Sequence, residues 1–280
     1  MVLYMSYQRR LLSKSTLGNA LAHQSAIRKV GAAYRLRYTL FSLVSMIAVT
    51  ASTAFSQQTP PRMIPDNEAE FWYGVAKLNV SGESWCNAVL VSKMEAVTAA
   101  HCLYRATMGK LTNAKDVKLE LGVRQNYRVS LRGVAAFSVL TKVLPNATVK
   151  KNLERISSDL ALLRLDAPVS SDEAEPFAIR DWRPGESVTV VGYGDDRPYI
   201  PSARENYAIM PLSETVATLD CAISPGLSGA AVVGQSDDEA RPKLLGIISA
   251  SLIDRSNMES CGALVIAIGP RLKQLRALLP

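Results

Sequence analysis

The chain has 280 residues, 48% of them hydrophobic, which is enough to form the core of one large domain or two small ones. Its formal net charge of +7 would suit a nucleic-acid or anionic-membrane partner, but residues 1–56 hold seven of the 32 basic residues and none of the 25 acidic ones. Residues 57–280 are therefore electrically neutral overall, which excludes an electrostatic footprint for nucleic acid.

Residues 1–56 have the organisation of an export signal. A basic segment precedes an apolar stretch at residues 38–49, and small residues follow up to Ser56. The apolar stretch is about a dozen residues long, shorter than the roughly 20 that a membrane span requires. We predict cleavage after Ser56, a secreted or periplasmic mature chain that begins at Gln57, and no stable membrane association after cleavage. An uncleaved signal that anchors the protein is the alternative, and the long basic extension leaves the true start codon open.

The next stretch, residues 57–70, is polar and proline-rich and is interpreted as a linker or an extended arm. From residue 71 onward, short apolar or alternating runs are separated by turns, which is typical of an all-β sandwich or barrel. A first half contains predicted strands at residues 71–80, 84–92, 96–98, 117–122, 127–143 and 160–165. Residues 166–185 lose the alternation and link it to a second half, with predicted strands at 187–194, 207–219, 230–233, 244–251 and 263–268. A helix is predicted at 270–279, with Pro270 at its start.

Four cysteines follow the predicted cleavage site: Cys86, Cys102, Cys221 and Cys261. Export to an oxidising compartment favours disulfide bonds, and an even count fits two bridges in any of three connectivities. Free buried thiols are the alternative. Because no two of these cysteines have Cys-x-x-Cys spacing, we predict neither a metal site nor a cofactor.

His101 is the single histidine after the predicted cleavage site, because His23 lies within the signal. If the mature domain performs acid–base chemistry with a histidine, His101 must carry it, since imidazole titrates near neutral pH. A structural histidine is the alternative.

Residues 224–233 place a serine between two glycines ahead of an apolar, β-branched run. Gly226 and Gly229 can adopt a positive φ, and the run predicts a buried strand. Such a turn presents the Ser228 hydroxyl close to backbone N–H groups, as a hydrolase needs for its nucleophile and oxyanion hole. Taken alone, the pattern also fits an ordinary turn that enters a strand.

Three segments together resemble the trypsin-like (chymotrypsin-fold) serine proteases. Residues 97–102 (Val-Thr-Ala-Ala-His-Cys) resemble the histidine signature, residues 158–163 (Ser-Asp-Leu-Ala-Leu-Leu) the aspartate segment, and residues 225–229 the nucleophile turn. Residues 246–249 are similar to the substrate-binding strand of that family. The order His, Asp, Ser along the chain is the chymotrypsin-like order, and the match runs from about residue 71 to the end.

The resemblance implies an all-β chymotrypsin-like fold of two six-stranded antiparallel β-barrels with a C-terminal helix. The peptidase domain would cover residues 71–280, with barrel one at about 71–165, barrel two at about 186–268 and the helix at 270–279. It would be a secreted serine endopeptidase that acts as a monomer on a protein or peptide substrate. The alternative function is that of a catalytically silent binding protein with the same fold.

The resemblance also implies the residue roles. Ser228 would be the nucleophile, His101 its base and Asp159 the carboxylate that orients the imidazole, with the N–H groups of Gly226 and Ser228 as oxyanion hole. Asp166 is the rival carboxylate, but the Ala-Pro that follows it looks like the exit from a strand. The implied disulfides are Cys86–Cys102 and Cys221–Cys261.

The chain departs from the trypsin pattern in the nucleophile turn and in the position of one cysteine. Leu227 stands where trypsins carry an aspartate that pairs with a new N-terminus after zymogen cleavage, so we predict that maturation needs removal of the signal and no activating cut of the trypsin kind; removal of a further propeptide stays open. Cys221 precedes Ser228 by seven residues, a spacing closer to bacterial relatives such as the glutamyl endopeptidases. Ser249 and Asp220 are the candidate substrate-binding residues. Asp220 would favour Lys or Arg, or is an exposed loop acid, and side-chain specificity stays open.

Overall fold

Strands dominate the structure, a computed structural model that describes residues 60–105, 110–140, 153–220, 223–236, 239–253 and 260–280. The first strands are β1 (Arg62–Met63), β2 (Val75–Val80), β3 (Ser84–Ser92), β4 (Glu95–Thr98), β5 (Tyr104–Arg105), β6 (Lys110–Leu111), β7 (Val117–Leu121), β8 (Ser130–Val139) and β9 (Ala161–Leu165). The later ones are β10 (Ser187–Gly194), β11 (Arg197–Pro211), β12 (Val216–Leu219), β13 (Ala231–Ser236), β14 (Glu239–Ile253) and β15 (Ser260–Ala267). The α-helices in these ranges are α1 (Asp66–Ala69), α2 (Leu153–Ser157) and α3 (Gly269–Ala277).

Barrel one is a closed antiparallel sheet in the order β2-β3-β4-β9-β8-β7. Strand β7 illustrates why these segments form strands: Val117, Leu119 and Leu121 are buried while the residues between them are more exposed. This two-residue alternation places one face of each strand in the core, as the sequence predicted.

Barrel two closes in the order β11-β10-β13-β14-β15-β12, because β12 pairs back with β11. Its pairings are also antiparallel. Two six-stranded barrels and a short C-terminal helix therefore confirm the predicted fold. Helix α3 packs its buried Leu275 into the core, and the Ser138 hydroxyl on β8 donates a hydrogen bond to the Leu275 carbonyl oxygen at 2.7 Å.

The proline-rich arm is part of the folded body from Arg62 onward. Strand β1 adds to the edge of barrel two by pairing with β11. Ile64 is fully buried, and its N–H donates to the Pro201 carbonyl oxygen at 3.1 Å. The described part of this stretch thus contains a short strand and the helix α1 (Asp66–Ala69).

The second barrel departs from the predicted elements in two places. Strand β11 begins at Arg197, before the strand predicted from residue 207, because β1 and β10 supply pairing partners on both sides. The single strand predicted at 207–219 is divided into β11 and β12. Ser213 causes the division, since its hydroxyl accepts hydrogen bonds from the backbone N–H groups of Thr215 and Val216 and closes a turn.

Several predictions lie outside the described residues. They are the export signal at residues 1–56, the new N-terminus at Gln57, and the side chains of Cys221 and Cys261. Among the described helices, none has the length and apolar character needed to cross a bilayer.

Candidate active site

His101 and Asp159 lie next to each other because the strands that carry them are paired. His101 is in a 3₁₀ turn (Ala100–Leu103) directly after β4, and Asp159 comes two residues before β9. Strands β4 and β9 are antiparallel, with Thr98 opposite Ala161, so the end of one and the start of the other share an edge of barrel one. Ser228 belongs to barrel two and precedes β13.

The three predicted catalytic side chains form a continuous hydrogen-bonded chain. Ser228 Oγ lies 2.9 Å from His101 Nε2, and His101 Nδ1 lies 2.8 Å from Asp159 Oδ2. The side chains of His101 and Asp159 are only 12% and 8% exposed. Both contacts are within hydrogen-bonding distance, so a proton can pass between the hydroxyl and the imidazole.

Further hydrogen bonds fix the Asp159 carboxylate. The backbone N–H of His101 donates to Oδ1 at 2.8 Å, and the hydroxyl of Ser249 on β14 donates to Oδ2 at 2.5 Å. With His101 Nδ1 donating as well, the carboxylate accepts hydrogen bonds from three donors, which fixes its orientation. Ser249 was predicted to bind substrate; its side chain is buried and is committed to Asp159.

The nucleophile turn has the backbone conformation that its glycines suggested. Gly226 and Gly229 have φ values of 86° and 77°. A Cβ at Gly229 would come within 2.0 Å of the Asn87 carbonyl oxygen, so a larger residue there would separate the two barrels. Leu227, between Gly226 and Ser228, is buried in the core of barrel two. The position where trypsins carry an aspartate therefore serves as a hydrophobic anchor for the turn.

Hydrogen bonds to two neighbouring carbonyl groups hold the turn in place. The N–H of Asp195 donates to the Pro225 carbonyl oxygen at 2.8 Å. Because the Pro225–Gly226 peptide is trans, the Gly226 N–H points away from Asp195. The side-chain Nδ2 of Asn87 donates to the Gly226 carbonyl oxygen at 2.8 Å. The peptide groups on both sides of Gly226 are thus fixed by different loops.

Sequence reasoning did not find Asn87, nor a charged cluster around the buried Arg204 beside the turn. Arg204 on β11 has a side chain that is 2% exposed and donates to Asp196 Oδ2 at 3.2 Å and to Ser224 Oγ at 2.6 Å. The Ser224 hydroxyl in turn donates to Asp196 at 2.7 Å. Asp196 and Ser224 lie 8 and 20 residues from Arg204 in the sequence, and no motif relates the three. The loop Asp195–Asp196 lies between two predicted strands, but its contact with the turn depends on the tertiary fold.

A disulfide bond joins Cys86 on β3 to Cys102 in the His101 turn. This bond is the first of the two implied by the resemblance, and it ties the histidine turn to the neighbouring strand. His101 and these two sulfur atoms lie close enough together to suggest metal ligands. However, the sulfurs are bonded to each other, and both ring nitrogens of His101 face Asp159 or Ser228, so the cluster does not offer a metal site.

Of the two remaining candidate carboxylates, Asp166 lies apart from this constellation. Asp166 follows β9, at the end opposite Asp159, where its exposed carboxylate accepts a hydrogen bond from the Gly133 N–H at 3.1 Å. Asp220 is an exposed residue directly after β12. Its role in substrate binding stays a prediction.

Comparison with known proteins agrees with this fold. A solved structure titled as a Glu endopeptidase in complex with MPD is similar to the chain, with a TM-score of 0.60, 14% sequence identity, and coverage of 78% of this chain and 94% of that one. At this level of identity the likeness concerns the fold. The family model described as Trypsin matches residues 65–265, well over half of the sequence. The chain therefore belongs to the trypsin family of serine proteases.

Proposed function

We propose that the protein is a secreted serine endopeptidase in which Ser228, His101 and Asp159 form the catalytic triad. The observation that carries the proposal is the unbroken hydrogen-bonded chain from Ser228 Oγ through both nitrogens of His101 to Asp159. A binding protein would need none of this alignment, whereas acyl transfer needs all of it.

In the first half of the reaction, Ser228 Oγ attacks the carbonyl carbon of the scissile peptide bond. A serine hydroxyl is a weak nucleophile, so His101 Nε2 takes its proton as the new C–O bond forms. Asp159 keeps the other ring nitrogen protonated and stabilises the imidazolium. His101 then gives the proton to the leaving amine, the C–N bond breaks, and an acyl-enzyme ester remains on Ser228.

In the second half, water replaces the amine. His101 takes a proton from the water as its oxygen attacks the ester carbonyl, and returns that proton to Ser228 Oγ as the C–O bond breaks. The carboxylic acid product leaves, and the free enzyme is restored. The contacts of His101 with Ser228 and Asp159 thus serve both halves of the reaction.

The N–H groups of Gly226 and Ser228 are proposed to stabilise the oxyanion of each tetrahedral intermediate. Support comes from the nucleophile turn, in which Gly226 has a positive φ and its preceding peptide is held by Asp195. Losing one donor of such a pair typically lowers kcat about 100- to 1000-fold.

We also propose that residues 1–56 direct export to the periplasm or the medium and that the mature chain begins at Gln57. Support comes from the basic, apolar and small-residue order of this segment and from the Cys86–Cys102 bond, which suits an oxidising compartment. N-terminal sequencing of the mature protein tests this, because recovery of the uncleaved segment would instead support a membrane-anchored form.

Labelling with a fluorophosphonate probe tests the catalytic proposal. Ser228 Oγ would displace fluoride and form a bond to phosphorus, so the wild-type protein should be labelled and Ser228→Ala should not. Ser228→Ala should also abolish cleavage of fluorescent casein. A folded wild-type protein that takes up no label would contradict the proposal and favour the silent binding protein.

A further inference from the structure

We propose that Asn87 is a positioning residue for the reaction: its side chain holds the nucleophile turn of barrel two against the strand of barrel one that is tied to His101. This inference rests on the proposed function and concerns a residue outside the proposed triad and oxyanion hole. Asn87 lies on β3, directly after Cys86.

The Asn87 side chain is fully buried, and both of its polar atoms are used across the barrel interface. Nδ2 donates to the carbonyl oxygens of Gly226 and Tyr193 at 2.8 and 3.2 Å, with Ser228 O at 3.3 Å. Oδ1 accepts from the Tyr193 N–H at 2.7 Å. The orientation of the amide is set by these partners, because only the NH₂ group can face three carbonyls and only the oxygen can face an N–H.

The backbone of Asn87 makes two more hydrogen bonds, one to barrel two and one within barrel one. Its N–H donates to the Ser228 carbonyl oxygen at 2.7 Å. Its carbonyl oxygen accepts from the Thr98 hydroxyl at 2.6 Å, which connects it to β4, the strand that leads to His101. Asn87 is thus bonded on one side to the nucleophile turn and on the other to the elements that carry the base.

A disulfide bond strengthens the connection between Asn87 and His101. Cys86, the residue before Asn87, is bonded to Cys102, the residue after His101. A short path therefore runs from the imidazole through the disulfide to Asn87 and on to Gly226 and Ser228. Displacing the turn by about 1 Å can lower the rate about 100-fold. This path therefore helps to maintain the 2.9 Å distance between Ser228 Oγ and His101 Nε2.

The Asn87 amide is closely packed in its site. A Cβ at Gly192 would come within 2.9 Å of Asn87 Oδ1, so the amide is packed closely against β10. Removing the amide would leave the buried carbonyl of Tyr193 and the partly buried carbonyl of Gly226 without this donor, which favours a shift of the turn.

The test measures the second-order rate of fluorophosphonate labelling and the acylation rate with p-nitrophenyl acetate, neither of which needs a specific side chain in the substrate. Asn87→Ala removes the amide, and Asn87→Asp keeps its shape but turns a carboxylate toward the carbonyls. We expect both rates to fall about 10-fold in the first variant and about 100-fold in the second. The inhibition constant of phenylboronic acid, whose adduct on Ser228 is tetrahedral, should rise in parallel.

Ser138→Ala is the matched control, since it also removes a buried hydrogen bond between elements, from β8 to α3. Rates are compared for the folded fraction, at a temperature well below the lowest Tm. We expect Ser138→Ala to lose stability but keep wild-type rates. Two outcomes would show that the positioning role is wrong. In the first, the Asn87 variants keep wild-type rates. In the second, Ser138→Ala and the Asn87 variants all lose activity in the same proportion to their loss of stability. Asn87→Ser, which keeps one hydroxyl donor, should be intermediate and serves if the other variants do not fold.

The two proposals fail in distinguishable ways. A wild-type protein that is not labelled contradicts the serine endopeptidase itself. A labelled wild type with equally reactive Asn87 variants leaves the endopeptidase intact and removes Asn87 from its positioning machinery.

Discussion

Asp159 accepts hydrogen bonds from the His101 ring, the His101 backbone and the Ser249 hydroxyl, so its charge and its orientation are both used. Asp159→Asn would place an NH₂ group where Oδ2 or Oδ1 now accepts, and would favour the wrong imidazole tautomer. We expect kcat to fall by about 10⁴-fold, the magnitude known for this change in a Ser-His-Asp triad, with little change in KM. Steady-state kinetics on a fluorogenic peptide measures this.

The control for this prediction is Asp166→Asn, because Asp166 is the rival carboxylate at the opposite end of β9. It should keep wild-type kcat. If Asp166→Asn lost activity and Asp159→Asn kept it, the assignment of the triad carboxylate would be reversed.

Local signals account for which site residues were predictable. His101, Asp159 and Ser228 each sit in a short motif that resembles one of the trypsin-like proteases, so the resemblance implied all three roles. Asn87 has no such motif, and its role arises only when barrel two comes within hydrogen-bonding distance of β3. The same holds for Arg204, whose partners are contributed by two other loops.

At the scale of elements, the Glu173 carboxylate connects the segment between the two barrels, residues 166–185, to barrel one. Hydrogen bonds from Arg132, Ser130 and Ser170 lower the pKa of Glu173 from 4.5 to about 2. A lowered pKa in the folded state stabilises the protein above pH 4.5, and this stabilisation is lost as the pH falls toward 2. Because the side chain is 24% exposed, we expect Glu173→Gln to lower the free energy of unfolding by only about 1 kcal/mol at pH 7.

Urea unfolding at a series of pH values tests this expectation. The difference between wild type and Glu173→Gln should shrink between pH 4.5 and about 2. Asp172→Asn changes an exposed carboxylate one residue away and should alter stability by less than about 0.5 kcal/mol at any pH. A Glu173→Gln effect that does not depend on pH would show that the charge is unimportant.

The predictable elements are those whose own residues alternate or form an apolar run. Strand β7 was predicted nearly to the residue, because its alternation is complete. The first half of β11 was missed, since residues 197–206 contain two prolines and three charged residues and become a strand through pairing with β1 and β10. Strand formation in such a segment depends on tertiary partners and is not encoded in its local composition.

For the molecule as a whole, one residue of the N-terminal arm, Ile64, contacts both barrels. The Ile64 N–H bonds to β11 of barrel two, and its carbonyl oxygen accepts from Arg124, which follows β7 of barrel one, at 3.0 Å. The side chain is fully buried in the core that includes residues of both barrels. A segment that composition alone described as a linker or arm therefore contributes to the stability of the entire domain.

Ile64→Ala should accordingly destabilise both barrels together. Truncating a fully buried isoleucine typically costs about 2–4 kcal/mol, through lost burial and the cavity left behind. We expect one cooperative urea transition, shifted to a lower midpoint, when tryptophan fluorescence and far-UV circular dichroism are followed in parallel. Arg62→Ala is the matched control in the same arm, because its ion pairs with Glu205 and Glu68 are exposed and worth about 0–1 kcal/mol. If Ile64→Ala costs no more than Arg62→Ala, the arm lies on the surface of the domain and does not belong to its core.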